Sequence, residues 1–250
     1  MCTATWSVGQ GRLSLFFNRD ERKTRSQARP PAVLNDGETK RIAAIDPDAG
    51  GTWLAVNEFG LCVFLLNNYG AQARGAGALG HARSRGELPL RYASCKTRAQ
   101  GVEALRADSF AGRYNPFLIG LADTDGVEGF AWDGESLSPL SFGKGFVTTS
   151  SYRTAEVQAY RESRYDELRA GREYLTPAEM RELLTVPLHP DPAFNALMLR
   201  QDSRTHNLSQ IEVDRGGVSF RYWPVVGESR SLGPETQVSL PRGGLARGEA

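Results

Sequence analysis

The pattern of apolar and polar residues at the start of the chain predicts a β-hairpin. Residues 3–8 are β-prone, residues 9–11 contain two glycines that suit a turn, and residues 13–17 form an apolar return strand. Because paired strands bring opposite residues together, we expect residues 18–21 (Asn-Arg-Asp-Glu) to lie beside the amino terminus.

Three short apolar runs then predict three buried strands. They span residues 42–45, 53–56 and 61–66, and the breaks between them contain glycine, aspartate and asparagine. The last run ends in Asn67 and Asn68. Carboxamides at the end of a buried strand can donate hydrogen bonds into a pocket, so both residues are candidates for an oxyanion or substrate-binding role.

Two other stretches predict loops. Residues 22–40 are polar and contain Pro30-Pro31. Residues 71–86 are rich in Gly, Ala and Arg but lack the Lys-Ser/Thr ending of a phosphate-binding loop. We expect this second stretch to be a flexible loop over the site.

The second half of the chain predicts both helices and strands. One helix is expected from Ser84, with Glu87 completing a capping box, to about Cys95, and another begins at Thr176-Pro177. Further helices are expected over residues 98–107 and 154–169, and strands over residues 116–121, 127–132, 136–141, 146–150, 202–213 and 218–223. This order predicts an α+β fold of antiparallel sheets with helices packed outside.

Composition limits the number of domains and the class of partner. The 250 residues are 40% hydrophobic, which is enough to bury the core of one domain. We expect that domain over residues 1–230 and a loose tail over residues 231–250. The net charge of +1 provides no strong field for nucleic acid, so no nucleic-acid partner is expected.

Cysteine usage and hydropathy predict a cytoplasmic protein. Cys2, Cys62 and Cys95 are too few and too scattered for a disulfide framework. The chain shows no signal-peptide pattern and no apolar run near the ~20 residues of a transmembrane helix. The sequence does not indicate an oligomeric state.

The candidate chemistry begins at Met1-Cys2. Initiator methionine is readily removed before a small residue, and the mature chain then begins with a cysteine that carries both a thiol and an α-amine. That amine can accept the thiol proton near neutral pH, and the guanidinium of Arg19 would favour the thiolate. The plainer interpretations are a small buried Cys2 and an ion pair that ends the strand at residues 19–21.

The three histidines do not predict a metal site. His81, His189 and His206 lack metal-ligand spacing, and each is interpreted as an ordinary surface residue. Any one of them could still serve as a haem ligand. Trp53 is interpreted first as a core aromatic residue and second as part of a pocket wall.

Several motifs together resemble the NRDE family of transport and Golgi organization 2-like proteins. They are Met1-Cys2, the tetrapeptide at residues 18–21, Gly-Gly-Thr-Trp-Leu at 50–54, Asn-Glu-Phe-Gly-Leu at 57–61, and Arg204-Thr205 ahead of a late strand. That family is similar in turn to the cysteine N-terminal nucleophile hydrolases, such as bile salt hydrolase and penicillin V acylase. The resemblance implies a four-layer αββα sandwich.

The resemblance also implies roles for individual residues. In those hydrolases the N-terminal cysteine attacks an amide carbonyl, so Cys2 would be the nucleophile. Arg19 would stabilise its thiolate, and Asp20 would orient the α-amine. Asn67 or Asn68 would hold the oxyanion or the substrate.

Other positions complete the expected pocket. Arg204 is similar to a late arginine of the hydrolases. Those enzymes also carry an asparagine near the end of a later strand, whereas residues 147–151 here supply hydroxyls, with Ser150 as the candidate donor. Asn18, Glu21 and Trp53 are expected to line the pocket.

These inferences give two main hypotheses about function. The first is a hydrolase of a small non-peptide amide that needs no cofactor. The second, which the resemblance brings, is a non-enzymatic protein that binds or carries haem or another hydrophobic small molecule. A purely structural or interaction role is a weaker third hypothesis.

Overall fold

Two antiparallel sheets of seven strands each form the centre of the molecule. The computed structural model describes residues 2–73, 82–143, 145–227 and 229–244. In chain order the strands are β1 (Cys2–Gly9), β2 (Arg12–Arg22), β3 (Arg29–Leu34), β4 (Arg41–Ile45), β5 (Leu54–Asn57), β6 (Cys62–Asn67), β7 (Phe117–Asp123), β8 (Gly126–Trp132), β9 (Leu137–Leu140), β10 (Phe146–Thr149), β11 (Ser203–Val213), β12 (Gly217–Val226), β13 (Ser231–Leu232) and β14 (Thr236–Pro241). The helices are α1 (Tyr69–Ala73), α2 (Glu87–Tyr92), α3 (Arg98–Ala107), α4 (Thr154–Arg169) and α5 (Pro177–Thr185).

The two sheets differ in how the chain builds them. The first has the order β10-β1-β2-β11-β12-β13, with β14 paired to β12, so it joins the two ends of the chain. The second runs in sequence order from β3 to β9. The predicted hairpin of β1 and β2 is confirmed, and so are the three buried strands β4, β5 and β6.

Apolar clusters on both faces of each sheet define four layers. Trp6 and Phe17 of the first sheet pack with Leu54 and Phe64 of the second, between the sheets. The outer face of the second sheet packs on α2 and α3, and that of the first on α4 and α5. Phe16 joins the outer cluster because successive strand residues point to opposite faces. The predicted αββα sandwich is therefore confirmed.

Local structure differs from expectation in three places. The polar stretch 22–40 contains β3, an edge strand whose Pro30 and Pro31 lie where its pairing is irregular. The expected tail over residues 231–250 is ordered as far as Pro241, because β14 pairs with β12, and residues 245–250 lie outside the described residues. The helix expected over residues 84–95 is only α2, and no side chain caps its start.

The helix start at Thr176 is confirmed in detail. Thr176 accepts a hydrogen bond from the Glu179 backbone N–H at 3.3 Å, and the Glu179 carboxylate accepts one from the Thr176 N–H at 2.8 Å. This reciprocal cap satisfies two backbone donors of α5. Among the described helices, none has the length and apolar character needed to cross a bilayer.

Candidate functional site

A cavity of about 460 Å³ lies beside Cys2, and we call it the Cys2 cavity. Its walls come from β1, β2, the end of β6, the segments that follow β2 and β4, and residues 82–86 and 115. Eight of its lining residues are charged: Arg19, Arg25, Arg83 and Arg85, with Asp20, Glu21, Asp46 and Asp48. Trp53, Leu65 and Asn67 also line it. The Cys2 cavity is thus strongly polar and balanced in charge.

Strand register places Cys2 and Arg19 together. The two residues are directly opposite in the β1–β2 pair, so their side chains share the face that looks toward the second sheet. Asp20 is the next residue along β2, and its side chain therefore points to the opposite face. The side chains of residues 18–21 therefore lie on both faces of the sheet.

Thr149 holds the backbone nitrogen of Cys2. The Cys2 N–H donates to Thr149 Oγ1 at 3.3 Å, because β10 pairs Thr149 with Cys2. Once Met1 is removed, this same nitrogen is the α-amine. Met1 itself lies outside the described residues.

Burial dominates the chemistry of the Cys2 thiol. Cys2 is 9% exposed, and this burial raises the pKa of its thiol from 9.0 to about 11. The positive charge of the amino terminus opposes the rise, and so does a hydrogen bond from the Asp20 backbone. In the chain that retains Met1, the thiol is therefore protonated at neutral pH.

Asp46 fixes the guanidinium of Arg19. Arg19 Nη2 and Arg25 Nε each lie 2.7 Å from Asp46 Oδ2, and Glu21 Oε2 lies 3.9 Å from both arginines. The Arg19 guanidinium carbon also lies 4.7 Å from the centre of the Trp53 ring. This network holds Arg19 in one position against the wall of the Cys2 cavity.

A second charge pair lies on the other face of the first sheet. Asp20 Oδ1 accepts a hydrogen bond from Thr205 Oγ1 at 2.6 Å, and its Oδ2 lies 3.8 Å from Arg161 Nη1. Burial raises the pKa of Asp20, while Arg161 and Thr205 lower it. Arg161 comes from α4 and is 1% exposed.

Arg161 ties this pair to the Cys2 strand. Its Nη1 donates to Thr3 Oγ1 at 3.0 Å and to Thr148 Oγ1 at 3.1 Å, on the strands that flank the amino terminus. Its Nε and Nη2 donate to the carbonyls of Phe194 and Asn195 at 3.0 and 2.7 Å. A buried guanidinium with this many partners fixes the backbone around Cys2.

Two residues predicted to lie at the pocket instead form hydrogen bonds with the backbone of neighbouring segments. Asn18 points to the outer face, where its Nδ2 donates to the carbonyls of Leu184 and Ala196 at 2.8 and 3.0 Å. Asn68 caps α1, because its Oδ1 accepts from the Ala71 N–H at 3.1 Å. The prediction that Asn18 lines the pocket is therefore wrong, and of the two carboxamides only Asn67 reaches the Cys2 cavity.

Ser150 and Arg204 also lie away from the described wall of the Cys2 cavity. The Ser150 hydroxyl donates to the Tyr152 carbonyl at 2.6 Å and accepts from the Tyr152 N–H at 3.1 Å, so it organises a turn. Arg204 lies on β11 opposite Glu21. Neither residue is part of the described cavity wall, and the oxyanion or substrate-binding role expected for each stays a prediction.

The histidines do not converge on the Cys2 cavity. His206 is buried, and its Nε2 lies 3.0 Å from the Arg22 carbonyl. His189 stacks on Phe194 at 4.4 Å between ring centroids. His81 lies outside the described residues, as does half of the loop expected over residues 71–86. No cluster of three or more metal-ligating side chains occurs in the described ranges.

Sequence reasoning missed several residues of this site, and two of them carry a usable signal. Asp46 directly follows a buried strand, as Asn67 does, so the rule that selected Asn67 also selects Asp46. Arg161 lies four residues from both Val157 and Tyr165, on the buried face of α4. No local signal marks Arg85.

Comparison with known proteins places the chain in a family. The sequence profile of Transport and Golgi organisation 2 (TANGO2) matches residues 1–175. The chain belongs to the TANGO2 family. The resemblance based on the N-terminal motifs is thereby confirmed. None of the curated proteins matches the sequence.

Two solved structures of amide hydrolases share the fold of this TANGO2-family chain. The N-acylethanolamine-hydrolyzing acid amidase ortholog of Caenorhabditis elegans matches with a TM-score of 0.56 and 12% identity, over 84% of this chain and 92% of that one. A mutant conjugated bile acid hydrolase from Clostridium perfringens matches with a TM-score of 0.53 and 14% identity, over 96% and 92%. At such identities the likeness shows the fold alone.

Proposed function

We propose that the protein hydrolyses a small non-peptide amide in the cytoplasm, with Cys2 as nucleophile after removal of Met1. The observation that carries the proposal is the place of Cys2 on the wall of the 460 Å³ Cys2 cavity, opposite Arg19. The likeness in fold to an acid amidase and a bile acid hydrolase supports the same class of reaction.

The proposed reaction has two steps. The Cys2 sulfur forms a bond to the amide carbonyl carbon while its proton passes to the Cys2 α-amine. The C–N bond then breaks, and the amine leaves with that proton as a thioester forms. Water next attacks the thioester, the C–S bond breaks, and the carboxylic acid leaves with the water oxygen while a proton from the water restores the thiol.

Removal of Met1 is central to this mechanism. With Met1 present, the Cys2 nitrogen is an amide that cannot accept a proton, and the thiol pKa is about 11. With Met1 absent, the nitrogen becomes an amine held by Thr149 and the charge of an ammonium lies beside the sulfur. An adjacent positive charge lowers a thiol pKa, so we expect trimming to activate Cys2.

Buried donors in the wall support oxyanion stabilisation. Trp53 Nε1 and Arg19 Nη1 are buried, and neither has a hydrogen-bond partner among the described residues. Asn67 Nδ2 lies at the same cavity, 2.8 Å from the Tyr69 hydroxyl. These groups supply N–H donors from residues that line the same cavity as Cys2, whereas Ser150 is not part of that wall.

The test is the pH dependence of Cys2 alkylation, read by mass spectrometry of the N-terminal peptide. The same spectrum reports whether Met1 is present. We compare the chain that begins at Cys2 with a chain that carries an uncleaved N-terminal extension. The expected result is an apparent thiol pKa well below 9.0 in the first chain and a pKa that burial raises above 9.0 in the second.

Two outcomes would contradict the proposal. The first is a native chain that retains Met1. The second is a trimmed chain in which Cys2 reacts no faster than Cys2 of the extended chain. A screen of linear amides follows only a positive result. Cys2→Ala must then abolish the release of the acid, and an activity that survives this change belongs elsewhere.

A second candidate is binding of a small molecule, haem included, without turnover. The raised pKa of Cys2 favours it if Met1 is retained, because the thiol is then a poor nucleophile. A Soret shift when haem is titrated into the protein would support this candidate. Absence of a shift at micromolar protein removes haem as the ligand.

A further inference from the structure

Arg85 differs from the other arginines of the Cys2 cavity. Arg19 and Arg25 share Asp46, and Arg83 Nη2 lies 3.0 Å from Glu87 Oε2. Arg85 has no carboxylate within 4.0 Å anywhere in the described ranges, and its Nη1 donates only to the Pro116 carbonyl, at 2.8 Å. The neighbouring residues 74–81 contain no acidic residue in their sequence.

The backbone holds Arg85 firmly at the wall of the Cys2 cavity. The Thr52 N–H donates to the Gly86 carbonyl at 2.8 Å, and a Cβ on Gly51 would lie 2.5 Å from the Gly86 carbonyl carbon. Glycine at position 51 therefore allows the two segments to touch. Arg83, two residues earlier, is fixed by its backbone N–H to the Arg113 carbonyl at 2.8 Å.

Arg85 lines the same cavity as Cys2. Burial lowers the pKa of Arg85, and the charges of Tyr69, Glu21 and Cys2 oppose that change. A half-buried guanidinium with no carboxylate within 4.0 Å is unusual, because desolvation of a charge costs free energy unless a nearby counter-charge offsets it. An anionic ligand group would supply that counter-charge.

We propose that Arg85 selects amides that carry an anionic group, such as a carboxylate, for binding in the Cys2 cavity. This inference rests on the proposed hydrolysis of an amide by Cys2 and names the class of its substrate. The guanidinium binds a carboxylate through two parallel N–H donors, and Nη1 stays on Pro116. The amide bond of the same ligand then faces Cys2.

The experiment separates binding from turnover with a matched pair of probes. N-Hexanoylglycine carries a carboxylate, and N-hexanoylglycinamide replaces it with a neutral carboxamide. Their affinities for the full-length Cys2→Ala chain are measured by calorimetry. We expect the carboxylate probe to bind roughly ten- to a hundredfold more tightly, which is the range of a charged hydrogen-bonded pair.

Variants in the same Cys2→Ala background assign that preference to Arg85. Arg85→Gln should abolish it, and Arg85→Lys should keep part of it because the charge remains. Arg83→Gln is the control, since it removes an equal charge at the same rim from an arginine already paired with Glu87, and it should keep the preference. Circular dichroism and thermal unfolding confirm that each variant folds.

The outcomes separate this inference from the proposed function. Equal affinity for both probes, no measurable binding of N-hexanoylglycine at millimolar concentration, or a preference that survives Arg85→Gln would overturn the inference. Turnover is tested separately with the trimmed Cys2 chain. Cleavage of both probes at equal rates would support amide hydrolysis and contradict selection by Arg85. A preference in binding without cleavage would support the anion site and contradict amide hydrolysis.

Discussion

Replacement of Arg161 by methionine tests whether the buried charge pair beneath Cys2 stabilises the fold. Arg161 is 1% exposed and lies 3.8 Å from Asp20, which is also buried. Removal of one partner of a buried pair leaves the other charge without compensation and costs about 3–5 kcal/mol. We expect Arg161→Met to lower the free energy of unfolding by this amount, measured by urea denaturation.

The control is Arg164→Met on the same helix. Arg164 forms its ion pair with Glu167 near the surface, so its loss should cost less than about 1 kcal/mol. Asp20→Asn added to Arg161→Met should cost much less than Asp20→Asn alone, because no buried charge is then stranded. The coupling between the two changes should reach at least about 1 kcal/mol.

The loss of stability in Arg161→Met should change with pH in one direction. Without Arg161, burial raises the pKa of Asp20 further above its ordinary value of 3.8, so the folded variant binds a proton that the unfolded chain releases. The variant should therefore regain stability relative to the native protein as the pH falls toward 3.8. A loss below about 1 kcal/mol for Arg161→Met, or a deficit that does not change with pH, would refute the reasoning.

Two further predictions concern the framework. Hydrogen bonds from Arg172 and Thr176 lower the pKa of Glu179 from 4.5 to about 2. The Glu179 carboxylate therefore stabilises the fold fully above pH 4.5, and this stabilisation is lost as the pH falls to 2. The difference in melting temperature between the native protein and Glu179→Gln should vanish over that range. Gly51→Ala should lower the free energy of unfolding by about 1–3 kcal/mol, because the new Cβ would displace residues 82–86. The same displacement should weaken binding of N-hexanoylglycine to the Cys2→Ala chain. An unchanged affinity would contradict the role of this close contact.

Local patterns in the sequence predict the first hairpin and the site that it forms. The alternation over residues 3–17 fixes the pairing of β1 with β2, and this pairing alone places Arg19 opposite Cys2. The same alternation could have excluded Asn18 from the pocket. Asn18 and Asp20 must face away from Arg19 and Glu21, because strand side chains point to opposite faces in turn.

Contacts between distant parts of the chain could not be predicted in this way. Thr205 meets Asp20 across 185 positions, through the pairing of β11 with β2. Arg85 reaches the Cys2 cavity because the turn at Gly51 touches Gly86, a contact between two loops. Neither contact leaves a periodic pattern in the sequence, since both depend on how distant segments of the chain assemble.

Strand alternation divides the site into two layers with separate tasks. Cys2, Arg19 and Asp46 lie on the face between the sheets and line the Cys2 cavity. The Asp20 carboxylate and Arg161 lie on the helical face, where Arg161 fixes the strand that carries Cys2. Because the sheet separates the two layers, substitutions at Arg161 should change stability and the thiol pKa without changing which probe is preferred. Substitutions at Arg85 should do the reverse.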